Sequence, residues 1–376
     1  MVHTSDPFQP NEWYTLQRVL QTPAHITCLA SGHAGHVFAG SADGSLRVYD
    51  LSSFKVIKAV RGLGAEVSSV ACVKRAGSDL PDAWVACGSR IMNFQMDSPK
   101  MILTADDALT VIDVGDASDP DDVLNELSLN YNETRLAFCT DSGVVGVVDL
   151  STKAISRMRT KHESVCGSVK FIPDRPRELV SGGYDSQLRH FDFHEGKLLS
   201  IRNLPADTVV GGVGMSPPFV MSMAMSSIGI MAAGTADGRL VLGCGGYKPP
   251  KSSGGKKKKR SRKWEGLDED EEVIDKIAEG PIVAMAFDES DVLTVSTLLG
   301  TMVRYVVMVE PDEGSVVVEK VWQQETQSVK KVNALVVGNE RVIVGGLTAN
   351  GTGVFEIWKQ DINYALYGLP MPNPRS

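Results

Sequence analysis

The chain has 376 residues, a hydrophobic content of 43% and a formal net charge of −8, which is enough apolar material for a sizeable core. No stretch approaches the roughly 18 uninterrupted apolar residues a membrane helix needs. The first residues also lack the basic start and apolar run of a secretory signal, so cytosol and nucleus are the expected compartments. The charge is uneven: residues 251–263, KSSGGKKKKRSRK, carry eight Lys or Arg and no acid, which leaves −16 for the rest. An acidic body of this kind is a poor phosphate platform, because nucleic-acid binding depends on neutralising cations.

In chain order, residues 1–12 carry no strand pattern and are expected to be flexible. Residues 13–21, WYTLQRVLQ, read as a strand with no hairpin partner beside them. ITCLA from Ile26 follows, and then residues 39–51, AGSADGSLRVYDL: a small-residue strand, a tight turn built on Asp, Ser or Gly, and a β-branched strand closing on Asp. The same outline returns at residues 137–150, 179–193 and 231–243. Runs of period-2 alternation begin at Ile26, Val67, Leu124, Val165, Val220, Ile282 and Val332, each reading as the first strand of a four-stranded unit. The second unit is irregular, and MILTADDALTVIDV (101–114) is expected to supply its outer strands. Between the fifth and sixth units, residues 246–280 run from Gly/Ser/Pro-rich through basic to acidic. Blocks of like charge with little hydrophobicity predict a disordered loop, with a short helix over 271–278 as the alternative. Six cysteines, Cys28, Cys72, Cys87, Cys139, Cys166 and Cys244, are scattered singly with no metal-ligand spacing. They read as small buried hydrophobes in a reducing compartment.

A strand–turn–strand unit returning about every 40–45 residues resembles the inner strands of WD-type β-propeller blades. The resemblance implies an all-β fold: a single seven-bladed propeller over residues 13–360, with a C-terminal tail at 361–376. Residues 13–21 would close the last blade and so remove the free sheet edges. The linkers are more specific: residues 127–188, including FIPDRPRELVSGGYD, and residues 215–240 are similar to the group of WD repeat-containing protein 53. That similarity implies a non-enzymatic adaptor, a candidate substrate receptor of the cullin-4 ubiquitin ligase. Such receptors dock on the ligase adaptor through W-D-x-R. The matching positions here are Tyr49-Asp50-Leu51-Ser52, Ile112-Asp113-Val114-Gly115, Val148-Asp149-Leu150-Ser151 and Phe191-Asp192-Phe193-His194. None supplies the Arg, so Asp113, Asp149, Asp192 and His194 stand as the candidate contact positions.

WD-type blades pin their strands with a His, Ser or Thr, Asp and Trp hydrogen-bond chain, which makes His25 with Asp43 and His162 with Asp185 candidate structural pairs. A catalytic reading would need a nucleophile poised beside the His, and the sequence marks none. The glycine clusters at 211–214 and 243–246 lack a phosphate-loop pattern. Met215, Met221, Met223, Met225 and Met231 read as core. Lys256, Lys257, Lys258, Lys259, Arg260, Arg262 and Lys263 are a candidate importin or nucleic-acid contact. The expected molecule is therefore a monomeric nuclear and cytoplasmic scaffold without cofactor or metal. A nuclear RNA-associated or ribosome-assembly factor using the basic loop is the alternative.

Overall fold

Nearly all of the regular structure is strand, the second and third strands of each unit buried on both sides and outer ones such as Lys197–Asn203 alternating, and antiparallel pairing joins these into seven sheets. The computed structural model describes residues 14–115, 119, 121–206, 216–245, 263–309, 316–338 and 340–361. The only helical pieces among them are three short 3₁₀ turns, and none is long and apolar enough to cross a membrane. The first strands of the sheets are Ile26–Ser31, Val67–Val73, Leu124–Leu129, Cys166–Phe171, Val220–Met225, Ile282–Phe287 and Lys331–Gly338. Each packs on the first strand of the next sheet, and the seventh packs on the first, so the sheets are blades around a closed ring.

The ring is cemented at its centre by one repeated irregularity. Every first strand breaks register just after its start, leaving Thr27, Ser68, Asn125, Gly167, Met221, Val283 or Asn333 as the extra residue. A bulge of this kind turns one side chain out of the ladder and increases the local twist. Three of the freed side chains reach the next blade: Thr27 Oγ1 donates to Val67 O at 2.6 Å, Asn125 Nδ2 to Cys166 O at 3.1 Å, and Asn333 Nδ2 to Ile26 O at 2.8 Å. Glycines on the second strands complete the seam. A Cβ on Gly182 would stand 2.4 Å from Val220 of the next blade, so glycine is what admits that branched side chain.

The strand Tyr14–Thr22 pairs antiparallel with Gly353–Gln360 and closes the seventh blade, as the sequence predicts. Two expectations are corrected. Residues 101–114 are split between blades: Thr110–Asp113 is the outer strand of blade 2, whereas Ile102–Thr104 runs parallel to Lys55–Arg61 as a fifth strand of blade 1. The 246–280 loop is ordered in its second half. Trp264 and Leu267 are buried, and Glu272–Lys276 is the outer strand of blade 5, neither disordered nor helical. Pairing with Arg239–Gly243 satisfies the backbone of this run in a way that an isolated turn of helix cannot. Residues 1–13, 207–215, 246–262 and 362–376 lie outside the described residues, and with them the N-terminal residues 1–12 expected to be flexible, the glycine cluster at 211–214, Met215, and most of the basic run and C-terminal tail.

Candidate interaction surface

Antiparallel alternation gives the ring two unlike faces. One, the connection face, carries the turns between second and third strands and the crossings from blade to blade. The other, the hairpin face, carries the turns between first and second and between third and fourth strands.

His162 and Asp185 meet on the connection face of blade 4. His162 Nδ1 lies 2.8 and 3.0 Å from the two Asp185 oxygens, and Nε2 lies 2.8 Å from Ser181 Oγ. The ring has its place because residue 183 is glycine: a Cβ there would stand 2.4 Å from Nδ1. The Asp–His–Ser order has the outline of a nucleophile relay, but Ser181 is 0% and His162 1% exposed. A nucleophile so enclosed meets no substrate, and the chain of bonds acts as a brace between the blade 3–4 crossing and the blade 4 turn. Burial, the largest single influence, would lower the His162 pKa; the hydrogen bonds and charges of Asp185 and Cys166 together outweigh it and raise the value to about 9. Burial also works against the Asp185 charge, and His162 prevails, holding that carboxyl below its ordinary range. Next to the brace, burial pushes the Cys139 thiol up, while Cys139 and His162 draw Cys166 down against its own burial.

A folded-state value above the ordinary 6.5 means that the protonated brace stabilises the fold fully below pH 6.5, and that this contribution is lost as pH rises through about 9. Stability should therefore fall by roughly 1–3 kcal/mol between about pH 6.5 and 9.5. The His162→Gln variant should lack that slope in denaturant titrations, and an equal slope in both proteins would refute the charged brace.

The corresponding pair in blade 1 does not form. His25 precedes its strand by one residue, whereas His162 precedes Cys166 by four, so the place of His162 is taken by Thr22, which bonds Ala24 O. Ala39 stands where Ser181 stands. Asp43 instead caps its own turn through Ser45 and meets Arg47 at 3.4 Å. Asp43→Ala should thus cost less than the same change at Asp185.

Of the candidate docking positions, Asp149, Asp192 and His194 lie on the hairpin face, as does Asp50. Asp149 accepts from Ser151 and Thr152 and pairs with Arg135 at 3.5 Å; Asp192 accepts from the amides of His194 and Glu195 and pairs with Arg177 at 3.2 Å. These turns present carboxylate and guanidinium together, with Arg135 also over the Phe193 ring at 5.7 Å. Tyr131, 97% exposed, projects from the first turn of blade 3 on the same face. Asp113 does not belong with them. It ends the fourth strand of blade 2, which runs the other way, and accepts from Ser89 Oγ on the connection face.

The basic run also departs from the hairpin face, between the third and fourth strands of blade 5. Its ends are pinned together by a bridge between Gly245 and Glu265. Lys263 is exposed, and the next residue, Trp264, is sunk between blades, donating to Gly229 O at 3.3 Å and meeting the His190 ring edge-on at 5.0 Å. Burial holds the His190 pKa below its ordinary value. Arg202 of blade 4 clamps the following segment through Glu269 at 2.9 Å and through Glu272. Sequence reasoning missed Trp264 and Arg202; a lone Trp directly after a charged run was the available signal. Among the described residues no group of three His, Cys, Asp or Glu is placed to hold a metal ion.

The family model of the WD domain, G-beta repeat, matches residues 15–50, which is the closing strand of blade 7 plus the first three strands of blade 1. The chain is 23% identical over 238 residues to the WD repeat-containing protein 53 homolog of Dictyostelium discoideum, a match covering 58% of this chain and 61% of that one. It thus spans about three fifths of the length of that curated relative. Among solved structures it is similar to the β-propeller domain of Myceliophteria thermophila Cps50 (Swd1), with a TM-score of 0.64 at 14% identity over 93% of this chain and 100% of the other. The resemblance to WD-repeat propellers read in the sequence is borne out, and the solved neighbour shares the fold.

Proposed function

We propose that this chain is a non-enzymatic scaffold, nuclear and cytoplasmic, that gathers partner proteins on its hairpin face. One observation carries the reading: the basic run is rooted by the Gly245–Glu265 bridge and the buried Trp264 on the same face as the Asp149–Arg135 and Asp192–Arg177 turns. A rigid ring displaying loops from every blade can hold several partners at fixed spacing. Docking to a cullin-4 ligase adaptor is the finer form of this reading. The similarity to the WD repeat-containing protein 53 homolog supports it, as do the rim arginines beside Asp149 and Asp192, in a chain whose W-D-x-R positions lack Arg.

The eight cations of residues 251–263 favour a second reading, an RNA-associated factor tethered by that run. Co-purification from cells with the intact chain, a chain lacking residues 251–262, and an Arg135→Glu/Arg177→Glu chain separates the two. Ligase adaptor lost only with the rim substitutions supports docking; salt-sensitive RNA lost only with the deletion supports the tether; partners unchanged in both variants would remove the hairpin-face reading. Replacing Lys256, Lys257, Lys258, Lys259 and Arg260 by Ala should leave stability within about 0.5 kcal/mol, as for solvated positions, and lower the nuclear fraction of a fluorescent fusion. A fusion that stays as nuclear as the parent would exclude the import role.

A further inference from the structure

One contact recurs at the seams of the ring. Opposite the bulge of each first strand, Gly40, Ala86, Cys139, Gly182, Gly234, Ser296 and Gly345 hold the same place on the second strands. The glycine seams show what this place faces, which is the opening residue of the next blade's first strand. A Cβ on Gly40 would stand 3.1 Å from the Val67 Cβ, one on Gly182 3.1 Å from that of Val220, one on Gly234 2.8 Å from that of Ile282, and one on Gly345 3.3 Å from that of Ile26. In blade 3 the residue at this place is Cys139, and the opening residue of blade 4 is Cys166.

A real Cβ at the glycine place displaces its neighbour by a few tenths of an ångström, which carries the separation into the roughly 3.5–4.5 Å that a disulfide spans. Both cysteines are free, buried and part of one core shared by blades 3 and 4, and their thiols hydrogen-bond each other. The environment of Cys166 also differs from that of the cysteines outside the pair. Burial pushes Cys28 up to about 12 and Cys244 up to about 11, and raises Cys72 and Cys87 as well, so these remain thiols. Burial works on Cys166 in the same sense, but Cys139 and His162 prevail and draw it down. A protonated imidazole beside a thiol favours the thiolate, which is the reactive form.

We propose that Cys139 and Cys166 are a modification site, at which a peroxide oxidant joins the two thiols into a disulfide that ties blade 3 to blade 4. The Cys166 thiolate takes one oxygen from hydrogen peroxide, releasing hydroxide and leaving a sulfenic acid. The Cys139 sulfur then attacks the Cys166 sulfur, and its thiol proton leaves with the sulfenic hydroxyl as water. The two sulfurs give up two electrons, and one peroxide becomes two waters once the hydroxide takes up the proton that Cys166 lost. Cys166 lies two residues from the exposed Ser164 of the blade 3–4 crossing, and local opening of that crossing admits an oxidant little larger than water. Oxidation would fix covalently a crossing that the His162, Asp185 and Ser181 brace otherwise holds by hydrogen bonds.

The test exposes the folded full chain to hydrogen peroxide without denaturant and maps its peptides by mass spectrometry before and after dithiothreitol. The six free thiols should fall by two, with one linked peptide pair joining Cys139 to Cys166. The melting temperature should rise by about 4 °C, as expected for a closed loop of this length in a chain of this size, and return on reduction. Cys139→Ala and Cys166→Val copy Ala86 and Val67 at the same places in other seams, so each should fold, and neither should gain the link or the rise. In Cys139→Ala the Cys166 sulfenic acid should persist long enough for dimedone to trap it. Six surviving thiols, a link between other cysteines, sulfonic acids without a link, or a linked chain that melts like the reduced one would overturn the site.

Discussion

Removing residues 1–22 is expected to yield a chain that no longer melts as one cooperative unit and that elutes as aggregates. The lost strand Tyr14–Thr22 pairs along its length with Gly353–Gln360, from Tyr14 opposite Gln360 to Thr22 opposite Gly353. It also carries Tyr14, whose ring lies 5.2 Å from Trp322 and beneath the Arg304 guanidinium at 5.0 Å. Each apolar side chain withdrawn from such a core costs about 1.5–3 kcal/mol. Tyr14 is buried and Leu16, Val19 and Leu20 are partly so, and their joint loss removes a sizeable share of the roughly 5–15 kcal/mol of a whole domain. What remains would be an unpaired edge at Gly353–Gln360, backed by Phe355 and Trp358, and an edge of that kind recruits other chains. Size-exclusion chromatography and calorimetry decide the matter. A monomeric truncated chain melting like the parent would show that the ring does not depend on this closure.

Replacing Glu356 by Leu should be the most damaging single substitution in the seventh blade, at about 3–5 kcal/mol. The Glu356 side chain is wholly buried, and its Oε1 receives three successive amides: Gln327 at 2.8 Å, Ser328, and Val329 at 3.1 Å. Oε2 accepts from Trp358 Nε1 at 3.0 Å. Leucine leaves all four donors without an acceptor in a dry site, whereas glutamine keeps one carbonyl and should recover about half of the loss. Unfolding in denaturant gives the ordering parent, Glu356→Gln, Glu356→Leu, and hydrogen exchange at Ser328 and Val329 locates it. Equal midpoints for the three chains would mean that the amides find water instead.

Glu356 was invisible in the sequence because its partners lie 27 to 29 residues away in a turn. Local information fared better where the constraint was local. The starts of the first strands at Ile26, Val67, Leu124, Val220 and Ile282 coincide with those in the structure, and Val165 and Val332 fall within one residue of it. Closure by the N-terminal strand was also legible, since a strand without its own hairpin next to a blade one strand short has one place to go.

Alternation of side chains with period 2, and turns that need glycine or aspartate, are properties of consecutive residues; from them the sequence by itself determined seven blades, their order and their closure. Which partner a short run takes is decided over long range, and there only the tertiary structure spoke. Residues 272–276 hold too few residues to distinguish a period of 2 from 3.6, and it was pairing with Arg239–Gly243 that made them a strand. Asp113 resembles Asp149 in its neighbours, yet it ends a fourth strand and not a third, so it faces the other way. His25 and His162 differ by three positions relative to their strands, a shift that carries the imidazole away from its aspartate. Hydrogen bonds act over about 3 Å, and a three-residue offset in an extended chain moves a side chain by about 10 Å. The family pattern could name the residue types of the brace, but only the folded ring could bring His162, Asp185 and Ser181 within that reach.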